Sequence, residues 1–325
     1  MRPFSYERAA DVSGAISSAA MPGAMFLAGG TNLVDLMKLE VARPDKLIDI
    51  SRLPLSQIEE LPGGGLRVGA TVRNSDLAAH EAVRRGYPVL AQALLAGASG
   101  QIRNVATIGG NLLQRSRCPY FQDVSKPCNK RRPGSGCPAR DGEHRNLAIF
   151  GHSKHCVATH PSDMAVALAA LEAGVDVVGA GGSRTLPIGE LYRLPGEDPE
   201  LDTTVEPGEL ITAVQLDRQA SGARSAYRKV RERASFAFAL VSVAAIVRTE
   251  EGVVRDARIA LGGVAHGPWR ALLAEEALRD QPSTEDTFNH AAEAELAEAL
   301  PLRDNGFKVT LARNAISRTL SEVCA

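Results

Sequence analysis

Between Asp11 and Ala70 the apolar residues come in short bursts, some continuous and some at helical spacing, a pattern that reads as alternating strands and helices. Asp11 or Ser13 can cap a short helix running to Ala20, and the run Ala24 to Ala28 reads as a buried strand. Gly29-Gly30-Thr31-Asn32 follows, then Leu33 to Lys38 at helical spacing, a break at Pro44 and a strand over Lys46 to Ile50. Together they predict a small βαβ-like unit. Leu66 to Ala70 is another strand, Asn74 through His80 opens a helix, and Tyr87 to Ala96 is a second, more apolar one, ahead of a glycine turn at Gly109-Gly110. Past a long polar stretch, Ser162 and Asp163 stand at the N-cap position of an apolar helix from Met164 to Leu171. Strands are expected after it at Val175 to Val178 and Ser183 to Ile188.

From Ser225 the bursts lengthen. Tyr227 to Arg231, Phe236 to Val247 and Val253 to Leu261 read as strands, the last two joined by a turn at Glu250-Glu251-Gly252, and Ala-rich, Glu-rich helices follow to the C-terminus. Three antiparallel strands followed by helices make a separate α+β unit. The fold class is therefore α+β, with domains over 1–222 and 223–325 and a boundary near Gly222.

Composition narrows the class. With 325 residues, 44% of them hydrophobic, the chain can bury a core in each unit. Lys plus Arg number 37 against 38 Asp plus Glu, so no basic excess points to nucleic acid. No stretch approaches the roughly 18 apolar residues of a membrane span. Met1-Arg2-Pro3-Phe4-Ser5-Tyr6 lacks the apolar segment of a signal peptide, and on its own sequence the chain is expected in the cytosol.

The polar stretch holds Cys118, Cys128, Cys137 and Cys156 within 39 residues rich in Pro, Gly, Lys and Arg. So little of it is apolar that something other than a core is expected to order it. Intervals of nine, eight and eighteen residues lack the Cys-x2-Cys knuckles of common zinc sites. Disulfides suit small secreted domains better than a chain of this size. Free structural cysteines are unusual in such a loop. A four-cysteine iron–sulfur cluster is the remaining reading, and Cys118-Pro119 and Cys137-Pro138 restrict the backbone beside two of its ligands. Spacing alone does not separate these readings. Cys324 reads as a free thiol at a helix end.

Two glycine pairs offer a second chemistry. Phe26-Leu27-Ala28-Gly29-Gly30-Thr31-Asn32-Leu33 sets two residues without Cβ between a strand and a helix N-terminus, where free amides attract a phosphate. Ala106-Thr107-Ile108-Gly109-Gly110-Asn111-Leu112 offers a second turn with two polar side chains, Thr107 and Asn111. Either pair alone can equally be a plain tight turn. Neither matches the G-x-G-x-x-G fingerprint, which disfavours an ordinary Rossmann NAD site.

In order along the chain, Phe26 to Leu33, Gln101-Ile102-Arg103-Asn104-Val105-Ala106-Thr107-Ile108-Gly109-Gly110-Asn111, Pro161-Ser162-Asp163, and Leu261-Gly262-Gly263-Val264-Ala265 with Pro268-Trp269-Arg270 resemble the FAD-binding subunit of the xanthine dehydrogenase family of molybdenum hydroxylases. Most members of that family lack the cysteine loop. Here Arg117-Cys118-Pro119-Tyr120-Phe121, Lys126-Pro127-Cys128-Asn129-Lys130-Arg131 and Pro133-Gly134-Ser135-Gly136-Cys137 look very like the bacterial periplasmic aldehyde oxidoreductase branch. The resemblance implies an FAD domain of the vanillyl-alcohol oxidase (PCMH) type, with an iron–sulfur insertion over 115–158, and a C-terminal domain of three antiparallel strands and helices of the CO dehydrogenase flavoprotein type.

It further implies two cofactors, FAD and a [4Fe-4S] cluster held by Cys118, Cys128, Cys137 and Cys156. The backbone from Phe26 through Leu27, Ala28, Gly29, Gly30, Thr31 and Asn32 to Leu33, with Thr107, Gly109, Gly110 and Asn111, would hold the FAD pyrophosphate and ribityl chain. Asp163 would bond to ribityl or ribose hydroxyls, and Ile211 and Lys229 would line the flavin. Positive charge from Lys126, Lys130, Arg131 and Arg132 is expected to favour the reduced cluster, and His155 and His160 read as structural hydrogen-bonding groups. The implied role is electron transfer, with no catalytic residue on this chain: a molybdenum-cofactor subunit oxidises an aldehyde, a [2Fe-2S] subunit relays electrons, and the flavin passes them to ferredoxin, quinone or oxygen. Co-export to the periplasm with a signal-bearing partner is the expectation from that branch, and the cytoplasm otherwise. A 4-hydroxybenzoyl-CoA reductase-like β subunit running electrons inward, and a metal-stabilised scaffold without flavin, are the alternatives.

Overall fold

The structure is a computed structural model that describes every residue from Met1 to Ala325. Its first layer is a three-stranded parallel sheet of β1 (Ser5–Arg8), β2 (Ala24–Leu27) and β3 (Lys46–Asp49), in the order β1-β3-β2. The helix Val12–Ala19 connects β1 to β2 and is capped by Asp11, whose side chain accepts from the Gly14 amide. The helix Leu33–Lys38 connects β2 to β3, so the βαβ reading of this stretch holds. β1 adds to it: Ser-Tyr-Glu-Arg has no apolar run and forms a strand by pairing with β3.

A second sheet contains β4 (Ile58–Glu60), β5 (Leu66–Gly69), β6 (Gly174–Gly179), β7 (Gly182–Pro187) and β8 (Leu210–Leu216), antiparallel in the order β4-β5-β8-β6-β7. At its centre, β8 buries every residue except the half-buried Gln215, as a strand covered on both faces must. The third sheet has four strands in the order β12-β11-β10-β9, comprising β9 (Arg224–Val230), β10 (Val241–Glu250), β11 (Val253–Gly262) and β12 (Trp269–Arg270). Three strands were expected here, and the fourth is a two-residue edge too short to leave a pattern. β10 also begins five residues later than Phe236, because Phe236 sits at φ 50° in the connection from β9.

The helix Asp163–Ala170 is buried on all sides and packs against β10, β11 and the helix Pro88–Ala96, joining the second sheet to the third. The largest core cluster follows it, running from Leu66 through Val175 and Val214 to Ala244 and Ala260. A second cluster lies between the third sheet and the helices Leu272–Leu278, Glu285–Leu296 and Phe307–Cys324.

Contrary to expectation, the cysteine loop has a small core of its own. Phe121, Ala139, Leu147, Val157 and Ala158 bury together with Leu36 from the first layer. Backbone carbonyls also fold inward on one side chain: Arg131 Nη2 donates to the carbonyls of Tyr120, Asp123 and Lys126. The apolar residues were too scattered and aperiodic to read as a core in one dimension.

Candidate functional site

A cavity of about 710 Å³ opens where the glycine motifs, the cysteine loop and the third sheet meet. That lies within the range of about 300–1,000 Å³ usual for cofactor and ligand sites. Thr31, Asn32 and Asp35 form one wall, Gly110, Asn111 and Asp163 another, and Lys229 with the β9–β10 connection closes it from the C-terminal domain.

The first glycine loop is shaped by close packing. A Cβ on Gly29 would stand 2.1 Å from the Val105 carbonyl oxygen, and Gly30 holds φ 72°, so both positions require glycine. The amides of Gly30, Thr31 and Asn32 donate to no group in the chain, which leaves a row of donors at the start of the helix Leu33–Lys38. Asn32 Oδ1 accepts from the Arg115 amide at 3.1 Å and ties this loop to the segment entering the cysteine loop.

The second glycine pair differs from the open turn expected. It forms the first turn of the short helix Ile108–Leu112, and its amides are already used. Ile108 donates to Val72 O at 3.0 Å, Gly109 to Ala70 O at 2.9 Å, and Gly110 to Thr107 Oγ1 at 3.3 Å. Gly110 and Asn111 still line the cavity, but this turn has no free amide nest. Sequence shows a Gly-Gly pair without showing which acceptors its amides find. Asn111 Oδ1 accepts from Ser162 Oγ at 2.6 Å and from Gln114 Nε2 at 2.8 Å, joining this helix to the Ser-Asp motif.

Asp163 and Lys229 meet. Lys229 Nζ donates to Asp163 Oδ2 at 2.7 Å and Tyr227 Oη donates to Asp163 Oδ1 at 2.5 Å, with the pair 4% and 8% exposed. Burial, followed by the Asp163 carboxylate, pushes the Tyr227 phenol well above its usual range and keeps it a donor. Each carboxylate oxygen has capacity to accept a second hydrogen bond, and Asp163 lines the cavity. Ile211 lies elsewhere, in β8 within the main core. Phe26, Leu27, Ala28, Gly29, Gly30, Leu33, Thr107 and Gly109 also stand outside the cavity lining.

Sequence reading missed Arg117 and Phe238. Arg117 forms no ion pair, its Nε is buried without a partner, and its guanidinium lies 5.2 Å from the Phe238 ring centroid. Asn32 Nδ2 and Asn74 Oδ1 are likewise buried, unpartnered and on the cavity wall. Such groups are costly unless a ligand engages them. Together with the free amides, they fit an anionic, hydroxyl-rich cofactor such as FAD.

The residue after Arg117 belongs to a second, smaller cavity. Cys118, Cys128, Cys137 and Cys156 all line it, alongside Phe121, Pro127, Pro138, Ala139, Val157 and Ala158. None is in a disulfide. No three His, Cys, Asp or Glu side chains converge closely enough to hold a single metal ion. The space that the four cysteines line together is small, about 10 Å³, and Asn129, Lys130 and His155 line it beside the apolar residues. Burial pushes the Cys118 thiol up to about 11 and the Cys156 thiol to about 12, and raises Cys137 as well, so thiolates here need a bound cation.

The cationic crowding expected around the loop is largely compensated. Lys130 is buried and donates to Asp202 Oδ1 at 2.5 Å and Pro199 O at 2.6 Å, and Arg115 holds the other Asp202 oxygen at 2.5 Å. Arg131 is spent on carbonyls, and only Lys126 and Arg132 project freely. His155 Nε2 meets Glu197 at 2.8 Å, a structural contact, whereas the His160 ring, on the cavity wall, tilts over Tyr192, with Nδ1 accepting from the Ser162 amide at 3.4 Å and Nε2 buried without a partner. Burial brings His160 to about 4 and holds His266 well below the imidazole range, so both rings are neutral.

The family described as "FAD binding domain in molybdopterin dehydrogenase" matches residues 2–217, and "CO dehydrogenase flavoprotein C-terminal domain" matches residues 225–323. The aldehyde oxidoreductase FAD-binding subunit PaoB of Escherichia coli is 51% identical, over 100% of this chain and 99% of that one. The carbon monoxide dehydrogenase medium chain of Hydrogenophaga pseudoflava is 27% identical over 99% of this chain and 97% of its own length. A chain of the reconstituted CO dehydrogenase from Oligotropha carboxidovorans superposes with a TM-score of 0.79 at 22% identity, covering 99% and 98% of the two chains.

Proposed function

The chain belongs to the FAD-binding subunits of the xanthine dehydrogenase-family molybdenum hydroxylases, and from that premise we propose that it carries FAD and a [4Fe-4S] cluster in an aldehyde-oxidising complex. Its role is to pass electrons, delivered from a molybdenum subunit through a [2Fe-2S] subunit, to an external acceptor. The observation that carries this reading is the adjacency of the two cavities: Arg117 lines the larger and Cys118 the smaller, one peptide apart. The 51% identity to an aldehyde oxidoreductase subunit supports aldehydes as the substrate class of the complex.

When bound, FAD exchanges one or two electrons and a cluster exchanges one, which lets such a chain join single-electron carriers to a two-electron acceptor. The protein's own residues supply position and electrostatics. The amides of Gly30, Thr31 and Asn32 would receive the pyrophosphate, with Arg117 as unpaired positive charge in the same cavity. Asp163, held by Tyr227 and Lys229, presents acceptor oxygens to a hydroxyl. Cys118, Cys128, Cys137 and Cys156 would hold iron in a pocket they share with Phe121, Ala139 and Val157.

Iron, acid-labile sulfide and flavin analysis of anaerobically purified complex tests this reading. We expect about four iron, about four sulfide and about one FAD per chain. Protein without FAD would overturn the assignment, and zinc in place of iron would overturn its cluster half.

A further inference from the structure

His266 lies in the connection from β11 to β12 and so comes from the C-terminal domain, 110 residues from the last loop cysteine. Its segment is stitched to the end of the cysteine loop. The amides of Ile149 and Phe150 donate to Val264 O at 2.8 and 3.0 Å, and the His160 amide donates to Ala265 O at 2.9 Å. These bonds fix the His266 ring, which is 8% exposed, with Nε2 3.2 Å from Cys156 Sγ.

The other ring nitrogen settles the tautomer. Nδ1 is buried with no partner. An orphaned N–H is costlier than an orphaned lone pair, so a ring whose Nε2 faces a cysteine sulfur carries a hydrogen on Nε2 and donates it to that sulfur. Cys156 is the one cysteine of the loop whose sulfur has a side-chain hydrogen-bond partner. Lys130 is the next positive group near Cys156, and Asp202 already neutralises it.

We propose that His266 is a positioning residue for the group the four cysteines hold: its Nε2–H donates to the Cys156 sulfur and raises that group's reduction potential. The inference rests on the four sulfurs holding a [4Fe-4S] cluster. A hydrogen bond to a ligand sulfur withdraws charge from it, and stabilises the reduced state more because that state carries one more electron. The C-terminal domain thereby tunes a centre whose ligands all come from the N-terminal half of the chain.

The test is a redox titration of the purified complex, followed by EPR, for wild type, His266→Leu and His266→Gln, with iron, sulfide and FAD measured on each. His266→Leu removes the donor, whereas His266→Gln can return an N–H near the Nε2 position. The expected result is intact cluster content in His266→Leu with a midpoint lower by about 59 mV, a tenfold change in the ratio of oxidised to reduced cluster, and recovery toward wild type in His266→Gln. An unchanged midpoint in His266→Leu, or equal shifts in both variants, overturns the proposal. Should His266→Leu assemble no cluster, pulsed EPR of wild type labelled with heavy-nitrogen histidine decides: a weak histidine coupling to the reduced cluster supports it, and no coupling overturns it. Wild-type protein without iron defeats the underlying cluster reading, which separates the two failures.

Discussion

Lys308 gives a direct test of how the cavity wall is held. It is fully buried near the N-terminus of the helix Phe307–Cys324, and its Nζ donates to Leu147 O at 2.9 Å and Gly263 O at 2.7 Å. Both acceptor residues line the large cavity, so one amine joins the C-terminal helix to two of its loops. No carboxylate pairs with it, and burial followed by the Arg145 charge brings its pKa down to about 7. Because the folded value is depressed, the unfolded chain binds more protons between about pH 7 and 10.5. The cost of a buried charge is therefore fully present below pH 7 and is relieved as pH rises. Comparing wild type with Lys308→Met isolates this group from every other titration. From pH 6 to 8.5 the stability of wild type relative to the variant should rise by about 2 kcal/mol, from roughly 1.4 kcal/mol per pH unit above the folded pKa. Urea unfolding followed by Trp269 fluorescence measures it, since this single tryptophan stacks on Phe150 inside the C-terminal core. A difference that stays flat over that range would show that Lys308 does not lose its proton on folding.

Gly29→Ala should weaken FAD binding by at least about tenfold, because the new Cβ meets the Val105 carbonyl and the loop must move. Gly100→Ala, where a Cβ meets open space, should leave the flavin titration unchanged. Lys229→Met leaves Asp163 buried without its cation and should cost about 3–5 kcal/mol, with part recovered in the Lys229→Met/Asp163→Asn double variant. Thermal unfolding of the three proteins checks this, and a Lys229→Met chain as stable as wild type would contradict the pairing. Arg117→Gln should raise the FAD dissociation constant by about tenfold and flatten its salt dependence, measured by flavin fluorescence, if the guanidinium faces an anion.

What could be read from sequence follows from where each signal is stored. The helix Asp163–Ala170 was legible because its burial is local and written in consecutive residues, and β2 was legible as a strand from its apolar run, although it is half-buried with Met25 exposed rather than buried as expected. β1 was not, since Ser5–Arg8 owes its conformation to pairing with β3 some forty residues away. β8 was passed over despite its apolar run: a long connection precedes it, and its partners β5 and β6 lie far back in the chain. The glycine pairs look alike in one dimension, yet only the first keeps free amides, because Val72, Ala70 and Thr107 take those of the second.

The same argument explains why the motifs named the site while its chemistry lay partly outside them. Motif residues such as Gly29, Asp163 and the four cysteines are recognisable because neighbours in sequence constrain them. Arg117, Phe238 and His266 acquire their surroundings only when the C-terminal domain closes on the cysteine loop. That closure makes the two cavities one mechanical unit. Arg117 and Cys118 share a peptide bond, Asn32 holds the amide of Arg115, and Lys308 ties Leu147 to Gly263. Loss of a ligand on either side would loosen a wall of the other. Cluster assembly and flavin affinity should then rise and fall together, although no residue belongs to both linings.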